Sequence, residues 1–560
     1  MQLTGAQIII ECLKEQRTQT LFGYPGGTVL SVYDALFERG EGIRHILTTH
    51  EQGAAHAADG YARATGKTGV CLVTSGPGAT NLVTGIATAY MDSSPVVAIT
   101  INVPVGNLGR DSFQEIDIAG ITMPVTKHNF IVKDVAQLAD VIRRAFLVAS
   151  SGRPGPVLVD IAKDVTENIC EYEPISADDA TGGKNTGNAC RAKGSDRTLW
   201  ADRPGYLNTV GKIATALLRA KKPIIVAGGG CIRSGAGDSL TAFAEDYGIP
   251  VVDTMMGRGA LPGSSPLSLG MGGEYGTAVA KEALKECDIL IAVGCRFSDR
   301  LTGEKCEYLG KCKIVHIDID KAELNKNVRA DIVLQSDADS FFRIMHPILK
   351  KRTAGKKTDY GKWTKRLEEI KDKDDAQADD NASLTGDTVV RIIEKAAGSE
   401  AVYVTEVGEC QISAVNKISY ERPGSLITSG GLGTMGFGLG AAIGAKAGCP
   451  DRTVINFAGD GSFRMNMAEI MTAVTNRLPL IEVVFDNAVL GMVHTMQRER
   501  FSSHFIATEL DDSFSYSRVA EAFKAKAFDC SDVKELKDAV KKALADKEQN
   551  VYVIVCHICQ

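Results

Sequence analysis

The four residues Gly459-Asp460-Gly461-Ser462 follow a short apolar run at 454–458 and precede a second apolar run at 480–485. A helical pattern of apolar residues lies between the two runs, at 467–474. Short apolar runs bounded by turn residues are typical of buried strands, and a helix between two of them forms a β–α–β unit. This stretch therefore predicts a parallel α/β sheet.

Asp460 and Asn487 are the polar residues at the ends of these two predicted strands. Ligands of parallel sheets bind at the carboxyl ends of the strands. A carboxylate and an amide oxygen suit Mg²⁺, whose other positions would go to a backbone carbonyl, a water and two phosphate oxygens. Gly459 and Gly461 let the backbone come close to a diphosphate. We therefore predict a magnesium–diphosphate site, with an ordinary turn between core strands as the alternative.

This pattern resembles the signature of thiamine diphosphate (ThDP) enzymes, a family that also needs a Glu early in the chain, on another domain. The candidate is Glu51, which follows an apolar run at 43–47 and opens a small-residue helical pattern at 54–64. In the family this Glu hydrogen-bonds N1′ of the cofactor's pyrimidine and favours the imino tautomer that removes the thiazolium C2 proton. Such chemistry needs a carboxyl group with a raised pKa in a dry site. The structural alternative is a first-turn Glu that the helix dipole stabilises.

Composition narrows the class of protein. The chain has 560 residues, 44% of them hydrophobic and 24% charged, with a net charge of −6, which disfavours nucleic acid as a main partner. No apolar run is long enough to span a bilayer, and the N-terminus lacks the pattern of a signal peptide, so we expect a cytoplasmic protein. Most of the 14 Cys are expected to be reduced core residues. Cys556-His557-Ile558-Cys559 is interpreted as a strand end, with a metal or redox role as the alternative.

Strands alternate with helical patterns in three blocks of the chain, which predicts open sheets covered by helices. Two polar or charged stretches separate the blocks, and 363–369 in the second stretch is interpreted as a solvated charged face. We therefore predict an α/β protein of three doubly wound parallel-sheet domains. The predicted boundaries are 1–175 for the N-terminal pyrimidine-binding domain, 176–204 for a linker or insertion, 205–349 for a central FAD-binding-like domain, 350–386 for a second linker and 387–560 for the C-terminal diphosphate and metal domain.

The resemblance is closer to the catalytic large subunits of the acetolactate synthase (acetohydroxyacid synthase) family, over nearly the whole chain. The stretches that carry it include 22–27, 50–55, 59–67, 74–81, 109–115, 151–156 and 490–493. The resemblance implies that pyruvate is decarboxylated and joined to a second 2-oxoacid, pyruvate or 2-oxobutyrate, in branched-chain amino-acid biosynthesis. It also implies a homodimer or homotetramer and leaves open whether a regulatory small subunit binds.

The same resemblance implies roles for individual residues. Beside Glu51, the positions Gly26, Phe113 and Lys163 match the catalytic centre and substrate channel, although Phe113 could equally be a core residue and Lys163 a surface one. Met435 matches the apolar residue that wedges the cofactor into its V shape. The positions that match ThDP contacts are Glu51, Thr74, Pro77, Asn81, Gly408, Gln411, Gly433, Met435, Gly459, Asp460, Gly461, Ser462, Asn487, Leu490, Gly491 and Met492, and those that match metal ligands are Asp460, Asn487 and Val489.

The middle block resembles the FAD-binding form of this family. Glycines at its strand ends would admit a diphosphate, and Asp318 at a strand end could accept from ribose or ribitol hydroxyls. We therefore predict FAD as a further cofactor, with a vestigial nucleotide domain as the alternative. The positions that match flavin contacts are Arg153, Gly228, Gly229, Gly276, Thr277, Gly294, Arg296, Asp318, Ile319 and Asp337.

Several acceptor-side positions depart from the family's pattern. Ile101-Asn102 stands where the family usually has Gly-Gln, 271–276 and 406–413 also differ, and Met496 replaces a Trp that shapes the acceptor pocket. These departures leave two alternatives open. One is another ThDP-dependent 2-oxoacid decarboxylase or lyase, such as a sulfoacetaldehyde acetyltransferase. The other is a non-enzymatic scaffold or regulatory paralogue, against which Glu51 and the predicted metal ligands argue.

Overall fold

Three six-stranded sheets organise the chain in a computed structural model that describes residues 1–176, 200–303, 311–354, 358–375, 383–511 and 513–558. All strand pairings within these three sheets of the described chain are parallel. Helices connect the strands and cover the sheets, so the predicted α/β class with three parallel-sheet domains is confirmed. None of the described helices is both long enough and apolar enough to cross a membrane.

The N-terminal domain begins and ends with an antiparallel pair, β1 with β8, and its six-stranded sheet has the order β3-β2-β4-β5-β7-β6. Its strands are Gln2–Thr4 (β1), Thr20–Tyr24 (β2), Arg44–Leu47 (β3), Gly69–Thr74 (β4), Val96–Asn102 (β5), His128–Val132 (β6), Val157–Ala162 (β7) and Ile169–Glu171 (β8). Its α-helices are Gly5–Glu15, Leu30–Arg39, Glu51–Thr65, Pro77–Asn81, Val83–Met91, Ile118–Thr122, Leu138–Ser150 and Lys163–Glu167, with 3₁₀ turns at Val105–Asn107, Met123–Val125 and Val135–Gln137.

The central domain has a sheet in the order β11-β10-β9-β12-β13-β14. Its strands are Pro223–Ala227 (β9), Val251–Asp253 (β10), Ser268–Met271 (β11), Ile289–Val293 (β12), Lys313–Asp318 (β13) and Ile332–Gln335 (β14). Its α-helices are Tyr206–Arg219, Gly229–Arg233, Gly237–Tyr247, Ala278–Glu286, Asp299–Thr302 and Ala338–Arg352, with a 3₁₀ turn at Met255–Gly257. A further helix, Gly361–Asp375, packs against helix Ala278–Glu286.

The C-terminal domain has a sheet in the order β16-β15-β17-β18-β20-β19. Its strands are Val402–Thr405 (β15), Leu426–Thr428 (β16), Val454–Gly459 (β17), Ile481–Asp486 (β18), Lys526–Cys530 (β19) and Tyr552–His557 (β20). Its α-helices are Gly386–Ala397, Glu409–Lys417, Gly438–Gly448, Asp460–Asn466, Glu469–Thr475, Gly491–Arg500, Tyr516–Ala522 and Val533–Ala545.

The N-terminal and C-terminal domains share one hydrophobic core, in which helix Glu51–Thr65 packs along helix Gly438–Gly448. Glycines make this close approach possible. A Cβ on Gly60 would lie 2.1 Å from the carbonyl oxygen of Ala441, and one on Gly444 would lie 1.8 Å from that of Ala57. Because any larger residue would push the two backbones apart, the contact fixes the Glu51 helix on the C-terminal domain.

The solvated-face interpretation of 363–369 is wrong for two residues of helix Gly361–Asp375. Trp363 and Leu367 are only 3% and 1% exposed, and Trp363 Nε1 donates to the carbonyl oxygen of Pro223 at 3.1 Å. These residues are four apart and lie on one helical face, which the charged neighbours obscured in the sequence. The predicted boundaries stay predictions, and most of 176–204 lies outside the described residues.

Candidate active site

The first group of candidate residues surrounds Glu51, at the carboxyl ends of the N-terminal strands. Glu51 is the first residue of its helix, and its Oε2 accepts from Asn81 Nδ2 at 2.9 Å. A Cβ on Gly26 would lie 2.5 Å from Thr74 Cβ, so the turn after β2 packs directly on the end of β4. Pro77 opens the helix that carries Asn81. The structure therefore brings Glu51, Gly26, Thr74, Pro77 and Asn81 to one edge of the sheet.

Phe113 and Lys163 have no described contact with this group. The Phe113 side chain is 88% exposed, and Lys163 Nζ lies 3.6 Å from Glu167 Oε1 in an exposed ion pair. The predicted substrate-channel roles of both residues stay predictions.

The second group forms around Asp460, at the carboxyl end of β17. Asp460 is 2% exposed, and its Oδ2 accepts from the backbone N–H groups of Ala488, at 2.8 Å, and Asn487, at 3.3 Å. Asn487 Oδ1 accepts from Val489 N at 3.2 Å. Ala488 has a φ of 56°, a left-handed conformation that is uncommon for residues other than glycine. These bonds hold the loop after β18 around the Asp460 carboxylate.

The donor set at Asp460 fits a magnesium ion. Burial raises the pKa of Asp460 to about 6, with the neighbouring charge of Asp486 adding to the shift. A divalent cation would compensate for the cost of burying this carboxylate. The described chain contains no cluster of three or more His, Cys, Asp or Glu suited to a metal. The fit is therefore to a hard ion bound by one carboxylate, one amide oxygen and a backbone carbonyl, for which Val489 is the predicted donor.

Other predicted ThDP residues line the same end of the C-terminal sheet. A Cβ on Gly461 would lie 2.4 Å from Leu490 Cδ2 and 3.7 Å from Met435 Cε, so the side chains of Leu490 and Met435 both lie beside Gly461. Gly408 has a φ of 131° and precedes helix Glu409–Lys417. Gln411 Nε2 donates to Thr428 Oγ1 at 2.6 Å. The remaining predicted members of this group are Gly433, Gly459, Ser462, Gly491 and Met492.

A cavity of about 1000 Å³ extends from the central domain to this C-terminal group. Gln411, Gly433 and Met492 line it on the C-terminal side. The predicted flavin residues that line it are Arg153, Gly229, Gly294, Arg296, Asp318, Ile319 and Asp337. The cavity is therefore lined both by residues predicted to contact ThDP and by residues predicted to contact FAD.

Three predicted flavin residues do not line the cavity and have structural contacts instead. A Cβ on Gly228 would lie 2.1 Å from the carbonyl oxygen of Gly294, which makes the turn after β9 pack on the turn after β12. Thr277 caps helix Ala278–Glu286, and a Cβ on Gly276 would lie 2.2 Å from the carbonyl oxygen of Met271. These three positions therefore lie behind the residues that line the cavity.

Carboxylates surround one end of the cavity. Arg153 Nη1 lies 2.6 Å from Glu323 Oε1 and 3.3 Å from Asp320 Oδ2. Burial raises the pKa of Asp318 to about 6. Glu323 Oε2 is buried and has no hydrogen-bond partner within the described part of the chain. A ligand that presents hydroxyl groups would satisfy these oxygens, which fits the ribose or ribitol of a dinucleotide.

Two buried carboxylates in the C-terminal domain were missed in the sequence. Glu469 Oε1 accepts from His50 N at 3.1 Å and its Oε2 from Thr49 N at 3.3 Å, directly before Glu51. Glu406 accepts from the N–H groups of Gly436 and Gly438, both at 2.7 Å, and burial raises its pKa to about 7. Both contacts join residues that are far apart in the chain. The only local signal was an acidic residue inside an apolar pattern.

The residues that depart from the family's pattern are also placed by the structure. Ile101 is fully buried in β5, and Asn102 Nδ2 donates to Asp160 Oδ2 at 2.8 Å, so this pair belongs to the core of the sheet. Met496 lies on helix Gly491–Arg500, which has no fully buried residue.

Comparisons with known proteins agree with this fold and site. Family models match as "Thiamine pyrophosphate enzyme, N-terminal TPP binding domain" at 3–121, "central domain" at 210–345 and "C-terminal TPP binding domain" at 406–556. The fold and site therefore define a thiamine pyrophosphate enzyme. The chain is 41% identical over 570 residues to a probable acetolactate synthase large subunit from Methanocaldococcus jannaschii, covering 99% of this chain and 92% of the relative.

Two further relatives are named in the same way. The chain is 41% identical to an acetolactate synthase of Mycobacterium bovis, over 97% of this chain and 86% of that protein. It is 38% identical to an acetolactate synthase large subunit of Corynebacterium glutamicum, over 99% of this chain and 86% of that protein. The chain therefore belongs to the acetolactate synthase large-subunit family, and the predicted resemblance is confirmed.

We predict that Gly53→Ala destabilises the protein by about 1–3 kcal/mol, because it displaces a buried hydrogen-bonded carboxylate. A Cβ at this position would lie 2.1 Å from Glu469 Oε1, and moving the carboxylate would leave the N–H groups of Thr49 and His50 unpaired. Gly106→Ala is the matched control, since nothing lies within 4 Å of a Cβ there. Equal melting temperatures of the two variants would show that Glu469 does not hold the Glu51 helix.

Proposed function

We propose that the protein is an acetolactate synthase that decarboxylates pyruvate and joins the two-carbon unit to a second 2-oxoacid, giving 2-acetolactate. The names of its relatives and the three thiamine pyrophosphate domains support this activity. The observation that carries it is the pair of intact polar groups, Glu51 with Asn81 and Asp460 with Asn487, at the carboxyl ends of two sheets. These are the chemical groups that the cofactor needs.

Thiamine diphosphate, when bound, supplies an electron sink for the carbanion that decarboxylation leaves. Asp460, Asn487 and the Val489 carbonyl would hold the magnesium ion, and the turn at Gly459 and Gly461 would accommodate the diphosphate. Glu51 would share a proton with N1′ of the pyrimidine, and the hydrogen bond that it accepts from Asn81 orients its carboxyl group for this role. Met435, which lies beside the Gly461 turn, would support the folded conformation of the cofactor.

A homodimer assembles the complete site in this proposal. Within the described part of one chain, no hydrogen bond or ion pair joins Glu51, Thr74 or Asn81 to Asp460, Asn487 or Val489. In the ThDP architecture that the chain resembles, the Glu and the metal ligands meet across two chains, so Glu51 of one chain acts with the metal ligands of a second chain in this proposal. A homotetramer and a regulatory small subunit are compatible extensions of this dimer.

The cavity of the central domain holds FAD in this proposal. Its volume of about 1000 Å³, its glycine-lined turn at Gly294 and the carboxylates at its far end fit a dinucleotide. Carboligation of two 2-oxoacids involves no net electron transfer, so the flavin has a structural role, filling and ordering the domain.

The two rival functions are disfavoured. A sulfoacetaldehyde acetyltransferase or simple decarboxylase would share the cofactor sites, but the relatives reported above are acetolactate synthases over nearly their full length. A non-enzymatic scaffold would not need Glu51, because the proposed role of this residue is proton transfer and not cofactor binding.

We predict that Glu51→Gln lowers turnover by about 10²- to 10⁴-fold while ThDP still binds, because the change removes a proton-transfer group and leaves the metal ligands in place. Steady-state rates and calorimetric titration with ThDP and Mg²⁺ measure the two effects. Glu41→Gln, at an exposed position of the same domain, is the control. Nearly unchanged turnover in the Glu51 variant would remove this residue from the mechanism.

We predict that the purified protein shows flavin absorbance, or gains it on incubation with FAD, and that its melting temperature then rises. Because the flavin is not oxidised or reduced in the reaction, 5-deaza-FAD should support the same turnover as FAD. ThDP-dependent activity in protein that binds no flavin would refute the assignment of the cavity. Activity with FAD but not with its deaza analogue would refute the structural role.

We predict little preference for 2-oxobutyrate over pyruvate as acceptor. The family's Trp at this position offers a rigid wall, whereas Met496 is flexible and only partly buried. One methylene in an apolar pocket changes the preference between two substrates by about 10- to 200-fold. Replacing the Trp with Met should remove much of this preference for 2-oxobutyrate. Mass spectrometry of products from equal concentrations of the two acids gives the ratio. Dominant 2-aceto-2-hydroxybutyrate would contradict this, and restoring preference with Met496→Trp would support it.

A further inference from the structure

The turn 433–438 of the C-terminal domain carries Met435, the residue proposed to support the folded cofactor. Met435 Cε lies 3.7 Å from the position that a Cβ on Gly461 would occupy, beside the turn proposed for the diphosphate. Met435 is half-buried, whereas Gly436 after it is buried. Gly433 and Gly436 have left-handed φ values of 68° and 87°, which permit sharp bends on both sides of Met435. The contacts that hold this turn therefore determine where the Met435 side chain lies.

Glu406, which follows β15, supplies two hydrogen-bond acceptors for this turn. Its Oε2 accepts from Gly436 N and its Oε1 from Gly438 N, both at 2.7 Å. Gly438 begins helix Gly438–Gly448, whose N-cap residue, Phe437, makes no side-chain capping bond. Because a helix leaves its first N–H groups without an intrahelical partner, the Glu406 carboxyl group takes the place of a cap. Both contacts use carboxyl oxygens as acceptors, so they do not require the group to be charged.

A further hydrogen bond links the same turn to the helix that begins with Asp460. Asn466, the last residue of that helix, donates from its Nδ2 to the carbonyl oxygen of Gly436. A Cβ on Gly436 would lie 2.7 Å from Asn466 Nδ2, so the two residues are in direct contact. Gly436 is thus held through its N–H group by Glu406 and through its carbonyl group by Asn466. These two bonds fix the backbone immediately after Met435.

We propose that Glu406 is a positioning residue for the cofactor, because its two hydrogen bonds fix the turn that presents Met435 to the rings of ThDP. This rests on the proposed ThDP site. Glu406 is only 1% exposed, so water cannot supply the missing acceptors in its place. Without them the turn would adopt other conformations for part of the time, and ThDP affinity would fall with the fraction that remains competent. The groups proposed to hold the magnesium ion and the diphosphate would stay in place.

Calorimetric titration of the cofactor-free protein with ThDP and with inorganic diphosphate, each at saturating Mg²⁺, tests this. Glu406→Gln keeps the size of the side chain but places an amide NH₂ group opposite one of the two backbone N–H groups. It should weaken ThDP binding by about 5- to 30-fold, the effect of one buried hydrogen bond left unmade. Inorganic diphosphate lacks the rings that Met435 would support, so its affinity should stay within about twofold of that of the unmodified protein. Equal weakening of both ligands would overturn the proposal, because it would indicate a general loosening of the C-terminal domain.

A double variant shows whether Glu406 acts through Met435. Met435→Ala should itself weaken ThDP binding, and adding Glu406→Gln should then lower the affinity by less than about twofold more. Full ThDP affinity in Met435→Ala, or full additivity of the two changes, would overturn the proposal. The matched control is Glu482→Gln, at a fully buried carboxyl group of the same sheet that accepts from Asn456 Nδ2. ThDP affinity should be unchanged in this control, and a loss as large as that in Glu406→Gln would also overturn the proposal.

Asn466→Ala keeps the proposal testable if Glu406→Gln does not fold. Asn466 is half-buried, and its replacement removes the bond to the carbonyl group of Gly436. This variant should likewise weaken the binding of ThDP and not that of inorganic diphosphate. Unchanged ThDP affinity in each variant that folds would overturn the proposal. If the unmodified protein bound no ThDP, the proposed function itself would fail, so the two failures are distinguishable.

Discussion

The close packing of helix Glu51–Thr65 on helix Gly438–Gly448 is the contact on which the rest of the site depends. This packing is possible because Gly60 and Gly444 have no side chain, so each can lie against a backbone carbonyl of the other helix. With the helices in place, the Glu469 carboxylate reaches the N–H groups of Thr49 and His50, immediately before Glu51, the proposed catalytic residue. The position of Glu51 is therefore set by the C-terminal domain as well as by its own sheet.

Each of the three sheets has its proposed site at a topological switch point. In every sheet the connections that follow two neighbouring strands run in opposite directions: those after β2 and β4, after β9 and β12, and after β15 and β17. The turns that leave these strands carry Gly26 and Thr74, Gly228 and Gly294, and Gly408 and Asp460, respectively. A crevice opens at such a point because the two connections run in opposite directions. The proposed positions of the pyrimidine, the flavin and the diphosphate are therefore all at switch points of parallel sheets.

The local sequence was sufficient for the two polar residues that follow β17 and β18. Asp460 and Asn487 could be placed together because a β–α–β unit brings consecutive strand ends side by side. Glu469 could not be recognised, because its role depends on a contact between two domains. Trp363 was misread because charged neighbours hid a buried helical face. Phe113 and Lys163 are placed by the structure, but their roles in the substrate channel stay predictions, because neither side chain contacts the Glu51 group.

The central claim is that each active site takes Glu51 from one chain and Asp460 from another. Mixing two inactive variants, Glu51→Gln and Asp460→Asn, after dissociation and reassociation of the chains measures this most directly. A mixed dimer contains one site with both changes and one with neither, so acetolactate production should recover to about a quarter of the unmodified rate when chains combine at random. If both groups came from the same chain, every site in the mixture would carry one defect. Activity no higher than that of the separate variants, with mixed dimers confirmed by native mass spectrometry, would contradict the account.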